Sequence, residues 1–551
     1  MVMIKHIEWK EVALVLLLYV IMMSVFESMQ MFLKIPVRIP VGFVCGLCIP
    51  LIFVWKKSVK VRSYIASLFI FGFSCVVCGF LYDFSWDGPA YHQLAQIIFR
   101  GGWNPYWSPE QIGVYQNDIW VNAYPKSFWI FAVCLYEVAN NILVGKVYNI
   151  LLIISSVILT YQVLYLNLLK SKGESIVFSL LTVLSPIVTN QVLTYYIDGA
   201  LYMFMILFLD LTFLYVKGQE SSTTGLIVVS IFGTIVLACN TKFTGPLYMV
   251  ILCLMELVRV AAKKNIVALQ KLFCLYLFSG LFGVLFIGYN PYITNILRHG
   301  TVGWPIMGEK HMDIVTTQVN PDFAAKNRFL KFIIANNSKS EASMRYPTLK
   351  FPGVIYPSEI NSLEMSPDIR IGGFGAWYNV ILIIDLICLI FLIAKRKVSV
   401  DQAIFIVGVS CSIFSNPECW WARYVPQTYL LSIMILIYFI AAINDYKKRA
   451  IVYKIFLAVI VVNFLSANIK NPTCYLGNAY REYQHIQYLK RSQIDSQAPL
   501  LVDYSVFYSK VSSELELHHI PYVYFDSSSA KVPVNYQLIY EDASTHIFAK
   551  K

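Results

Sequence analysis

Asp83-Phe-Ser-Trp-Asp87-Gly-Pro-Ala-Tyr91-His92 brings two acids, an imidazole and several aromatic rings together, and Gly102-Trp103-Asn104-Pro105-Tyr follows closely. Asp83 and Asp87 are four apart, so on one helical turn they would share a face. Near a low-dielectric boundary one such carboxylate has a raised pKa, or the pair shares a cation. Either state suits a general base that accepts a proton from an attacking hydroxyl. His92 can donate to a substrate, bind phosphate or ligate a metal. Tyr91, Trp103 and Asn104 complete a surface fit to hold a polar ligand. A merely solvated loop would need none of these, and acids directly after the apolar run 64–81 are not ordinary filler.

A second cluster is Asn416-Pro-Glu418-Cys-Trp-Trp421-Ala-Arg423-Tyr424. The Arg fork matches a phosphate, and Trp421 and Tyr424 offer stacking faces for a sugar ring. An aromatic belt with a snorkelling Arg accounts for the rings, but less well for Glu418 beside Arg423. Lys242, in Asn240-Thr-Lys-Phe-Thr-Gly, and Asp198, in Tyr195-Tyr-Ile-Asp-Gly, add a cation and an acid at helix ends. Arg298, His299, Glu309 and His311 can line the same cavity, although their spacing alone specifies nothing. Asp118 and Lys126 are weaker candidates.

The elements that must position these groups are membrane helices. The 551 residues are 58% hydrophobic and 14% charged, with mean hydropathy +0.61, which excludes an ordinary soluble protein. Spans of about 20 apolar residues are expected at 12–32, 39–55, 63–82, 145–167, 175–190, 200–216, 223–239, 244–258, 272–289, 377–394, 400–415, 425–443 and 450–468, thirteen in all. The first run is too long for a signal peptide and reads as a retained helix. With the N-terminus cytoplasmic, the inner segments hold 19 Lys and Arg and the short outer loops hold 4, so charge sets the orientation. The net charge of +12 is then a topology signal with some attraction to anionic lipid, not a nucleic-acid footprint.

This reading divides the chain into N-terminal helices (1–82), a first large extracytoplasmic loop (83–144), helices (145–289), a second large loop (290–376), helices (377–468) and an α/β tail (469–551). Segment 127–140 is too short to span and is expected in the interface, anchored by Trp129 and Tyr136. The second loop, rich in Asn, Pro, Gly and aromatics, suits a binding lid, with short helices around 321–336. The tail should carry strands at 500–504, 522–525, 536–540 and 546–549, the last two a hairpin around Asp542-Ala-Ser-Thr. The twelve cysteines include two Cys-x-x-Cys pairs, both inside apolar spans, where helix packing explains them. Cys419 and Cys474 have the option of pairing. No Walker or dinucleotide motif is present, which argues against a nucleotide-driven pump.

An acid-bearing first large outer loop resembles the GT-C superfamily of polytopic glycosyltransferases. More narrowly, Ser85-Trp-Asp87-Gly-Pro-Ala-Tyr91-His92 with Gly102-Trp103-Asn104-Pro105, Gly372-Gly-Phe-Gly375 and Trp420-Trp421-Ala-Arg423-Tyr424 look like bacterial membrane proteins of surface-polysaccharide loci, over roughly residues 80–430. The resemblance implies a polyprenyl-phosphate sugar donor, a glycan or lipid-linked acceptor, inversion at the anomeric carbon, and residence in a bacterial plasma membrane. It implies Asp87 as the base, Asp83 as the reserve, and Arg423 or Lys242 as holder of the lipid phosphate. Well-known members carry the acid after the first span, whereas here it follows the third. No cofactor is required, but branches differ in metal use, so a divalent metal stays open. Two rivals remain. A polysaccharide polymerase or ligase would lean on Arg and His instead of an Asp base. A transporter would want charges at mid-membrane depth in broken helices, whereas Glu27, Asp210 and Asp385 lie toward helix ends or stand alone.

Overall fold

The computed structural model describes residues 7–113, 117–218, 221–309, 311–342, 345–365, 367–503, 508–525, 531–541 and 545–551. Seven helical stretches among these residues are long and apolar enough to cross a membrane. They are Trp9–Phe32, Val61–Phe80, Ile142–Leu169, Asp198–Lys217, Gly245–Ala262, Ile266–Ile287 and one within Tyr446–Ser496. Expected spans at 39–55, 223–239, 377–394, 400–415 and 425–443 form shorter apolar helices: Val41–Trp55, Thr224–Cys239, Tyr378–Ala394, Val400–Ser415 and Gln427–Ala441.

The expected span 175–190 is not one helix. It breaks into Lys172–Val183 and Pro186–Gln191. Ser185 caps the second piece by accepting from the Val188 N–H, and Pro186 sits in its first turn, where a missing N–H costs nothing.

Helix Trp9–Phe32 is the pillar of the bundle, with every residue from Val12 to Ile21 fully buried. Small residues let neighbours approach it: a Cβ on Gly233 would fall 2.3 Å from Ile21, and one on Gly46 the same distance from Met23. Helix Val61–Phe80 instead turns Phe69, Phe73 and Phe80 outward. Such an apolar exterior fits a lipid surround better than water.

Helix Ser127–Ala139 is buried over most of its length by the rest of the protein. Trp129 and Tyr136 are 1% and 4% exposed, packed against Phe99 and the ring of His92 on one side and Arg100 on the other.

The tail forms the four-stranded sheet expected of it. Strands β1 (Leu500–Asp503), β2 (Tyr522–Phe525), β3 (Tyr536–Glu541) and β4 (His546–Lys550) run in the order β2-β1-β4-β3. β1 and β2 are parallel and joined through helix Tyr508–Leu517, while β3 and β4 pair antiparallel. Asp542, Ala543 and Ser544 of the expected turn lie outside the described residues. Ile486, Leu489, Leu500, Val502, Leu515 and Ile547 make the core of this unit. The tail rests on the first loop: Tyr82 Oη is 3.0 Å from His518 Nε2, and the Phe84 and Tyr475 rings meet edge to face at 4.8 Å. Cys419 and Cys474 are both free thiols.

Candidate active site around Arg423

Segment 83–86 is a turn, and helix begins only at Asp87, so Asp83 and Asp87 do not share a helical face. Asp83 Oδ1 accepts from the Ser85 N–H at 2.8 Å and Oδ2 from the Tyr195 N–H at 2.7 Å. Ser85 Oγ in turn accepts from the Gly88 N–H at 3.1 Å. The packing is close enough that a Cβ on Gly88 would meet Asp83 Oδ2 at 2.0 Å. Burial pushes the Asp83 carboxyl up, against Lys146 and the N–H donors. The turn thus ties loop 83–126 to the helix end at Tyr195 and presents Asp87 on its far side.

Asp87 Oδ2 accepts from Arg423 Nη1 at 3.1 Å. The same guanidinium stands 3.7 Å from Asp198 Oδ2, and its Nε lies 3.0 Å from Asp368 Oδ1, a close ion pair without hydrogen-bond alignment. Asp198 also pairs with Lys242 and accepts from Gln191 Nε2 at 3.1 Å. Asp368 accepts from Trp421 Nε1 at 2.9 Å, with Arg370 4.0 Å away. Burial pushes the Asp368 carboxyl up, opposed by Arg423. Three carboxylates from three separate segments therefore converge on two cations. Such a network is tolerable at low exposure only because each charge has a partner.

Aromatic rings wall the cluster. Arg423 lies over Tyr196, Trp421 and Tyr424 at 5.1–5.3 Å, and Lys242 over Tyr424 at 4.0 Å. Tyr91 packs on His92 at 4.5 Å and meets Tyr124 edge-on. The turn holding Arg423 is pinned where Tyr248 donates to the Tyr424 carbonyl and Asn416 donates to the Tyr248 hydroxyl. Exposure divides the roles. Asp198 is sealed at 2%, whereas Asp87, Asp368, Arg423 and Lys242 retain 13–20%.

The structure thus gathers Asp87, Tyr91, His92, Lys242, Trp421, Arg423 and Tyr424 into one neighbourhood, and leaves other candidates outside it. Asn104 donates to the Met31 carbonyl and accepts from the Tyr106 N–H, fastening the loop to the end of the pillar helix. Trp103 stacks on Phe99 and donates to the Pro109 carbonyl. Glu418 pairs with Lys331 at 3.0 Å, facing away from Arg423 into the second loop. Arg298 and His299 both face Glu110, and His299 stacks on Trp304 at 3.6 Å. His311 contacts the Gly308 carbonyl in an exposed turn. Lys126 is buried, donating to the Asn122 and Tyr124 carbonyls.

Asp368 was not among the residues singled out from the sequence. Pro367-Asp-Ile-Arg lies in an aperiodic loop, and only tertiary folding brings it to Arg423. The glycine run beside it does carry a signal. Gly372 and Gly375 have φ of +62° and +108°, and a Cβ on Gly375 would strike Asn463 at 2.5 Å. That sharp path holds Asp368 in place against Trp421.

A resident divalent ion does not fit this arrangement. Among the described residues no three His, Cys, Asp or Glu side chains are grouped to ligate one, and the guanidinium occupies the space between the carboxylates. No known protein family and no curated protein matches the chain.

Proposed function

We propose that the protein is an integral-membrane, inverting glycosyltransferase that moves a sugar from a polyprenyl phosphate to a glycan or lipid-linked acceptor. The loop face then lies outside the plasma membrane of a bacterium and the N-terminus inside. The observation that carries the reading is Arg423, held by Asp87 at 3.1 Å and Asp368 at 3.0 Å inside a cage of aromatic rings at the helix ends. This site combines a partly exposed carboxylate, two cations and aromatic faces at the ends of apolar helices, a set that would suit a lipid phosphate and its sugar.

In the resting protein Arg423 donates to Asp87 and holds it in place. The donor phosphate competes for the same fork, with Lys242 beside it, and frees Asp87. The acceptor hydroxyl oxygen then forms a bond to the anomeric carbon as the bond from that carbon to the phosphate oxygen breaks. The hydroxyl proton passes to Asp87, and the electron pair leaves on the lipid phosphate, neutralised by Arg423 and Lys242. Because that leaving group is already good, positioning and charge neutralisation supply most of the catalysis.

Transfer of labelled sugar by membranes carrying matched levels of each variant tests this. Asp87→Asn is expected to abolish transfer. Full transfer by Asp87→Asn, with loss in Arg423→Gln or His299→Gln, would move the assignment to a polymerase or ligase.

A further inference from the structure

Trp129 carries no assigned role, yet its indole N–H donates to His92 Nδ1 at 2.5 Å. Indole has no acceptor, so Nδ1 must carry the lone pair. A neutral imidazole then has its single proton on Nε2. That Nε2 is fully buried and has no hydrogen-bond partner among the described residues. The ring sits between Tyr91, Phe128 and Trp129, within electrostatic reach of Asp87, Asp198 and Arg423. Burial foremost lowers the His92 pKa to about 4, so the ring stays neutral in ordinary conditions.

We infer that Trp129 fixes His92 as the Nε2–H tautomer and that this N–H donates to an oxygen of the bound sugar phosphate. The second half rests on the glycosyltransferase reading; the tautomer does not. A locked donor has no free lone pair, so His92 can neither take the acceptor proton nor ligate a metal without losing its bond to Trp129. Trp129 touches no substrate and acts as a positioning residue. A buried N–H left unpaired is costly, which is why a ligand oxygen gains by reaching it.

The test uses the full chain in nanodiscs with 15N-histidine, His92 being assigned by its loss in His92→Gln. The expected spectrum has Nε2 protonated and Nδ1 bare, and Trp129→Phe mixes the tautomers. A protonated Nδ1 in the wild type, or an unchanged tautomer in a folded Trp129→Phe, overturns the lock. If Trp129→Phe does not fold, the wild-type spectrum and the His92 variants still decide. Geranylgeranyl phosphate and its glucosyl phosphodiester are then titrated. A shift of Nε2 with the plain phosphate places the contact on phosphate, and a shift only with the phosphodiester places it on sugar. His92→Gln, which keeps a donor, should hold probe affinity within a few-fold, while His92→Phe loses about tenfold. Probe binding with no Nε2 shift and full affinity in His92→Phe overturns the contact. If neither probe binds wild type, the contact falls with the donor reading, and the tautomer is still read.

Discussion

Asp83 and Asp87 are separated by one turn of chain and do opposite work. Both oxygens of Asp83 are taken by backbone N–H groups that shape the loop. Asp87 spends its charge on Arg423, a side chain from the far end of the sequence, and stays 16% exposed. An acid satisfied by backbone is part of the scaffold. An acid held by a partner that a phosphate can capture is poised to be released.

Five substitutions, one of them read through a pH series, probe that contrast, the largest effect first. Asp87→Asn should lower turnover by about 10²–10⁴-fold, the usual worth of a general base, with little change in melting temperature because Asp198 and Asp368 still neutralise Arg423. His92, on the same side, should make stability depend on pH. Its pKa falls from 6.5 unfolded to about 4 folded, so its contribution is present above 6.5 and is lost as pH falls toward 4. For a shift of that size the loss is about 3 kcal/mol, and thermal melts of His92→Gln should lack it. Asp83→Asn should cost roughly 2–3 kcal/mol of stability by setting an amide N–H against a backbone donor, while the molecules that fold keep their turnover. Gly88→Ala presses on the Asp83 carboxylate and should cost about 1–3 kcal/mol in the same manner. Lys242→Met should lower kcat/KM for the donor by about tenfold, or ~1.4 kcal/mol.

Hydropathy was a good guide to the bundle because burying apolar length is a local property. It misjudged one place. At 175–190 the chain is apolar enough to span, but Ser185-Pro186 stops one helix and starts another. At 127–139 shortness suggested an interface, and the structure adds that residues 127–136 are buried by the surrounding protein. The site shows the same division. Asp87, His92, Lys242 and Arg423 were visible as polar groups at helix ends, where a membrane chain rarely places them idly. Nothing in the spacing of residues 83–87 showed which acid the backbone would claim, since the Tyr195 N–H that claims Asp83 is 112 positions away. Asp368 was invisible for the same reason: its partners come from another loop.

Surface-glycan mass spectrometry of the source cell lacking this protein, complemented at matched membrane levels by wild type, Asp87→Asn or Asp83→Asn, tests the central claim most directly. The account predicts that the null strain lacks one sugar residue and that wild type restores it. Asp83→Asn should restore it in proportion to folded protein, and Asp87→Asn should not restore it. Full restoration by Asp87→Asn, or an unchanged glycan in the null strain, would contradict the account.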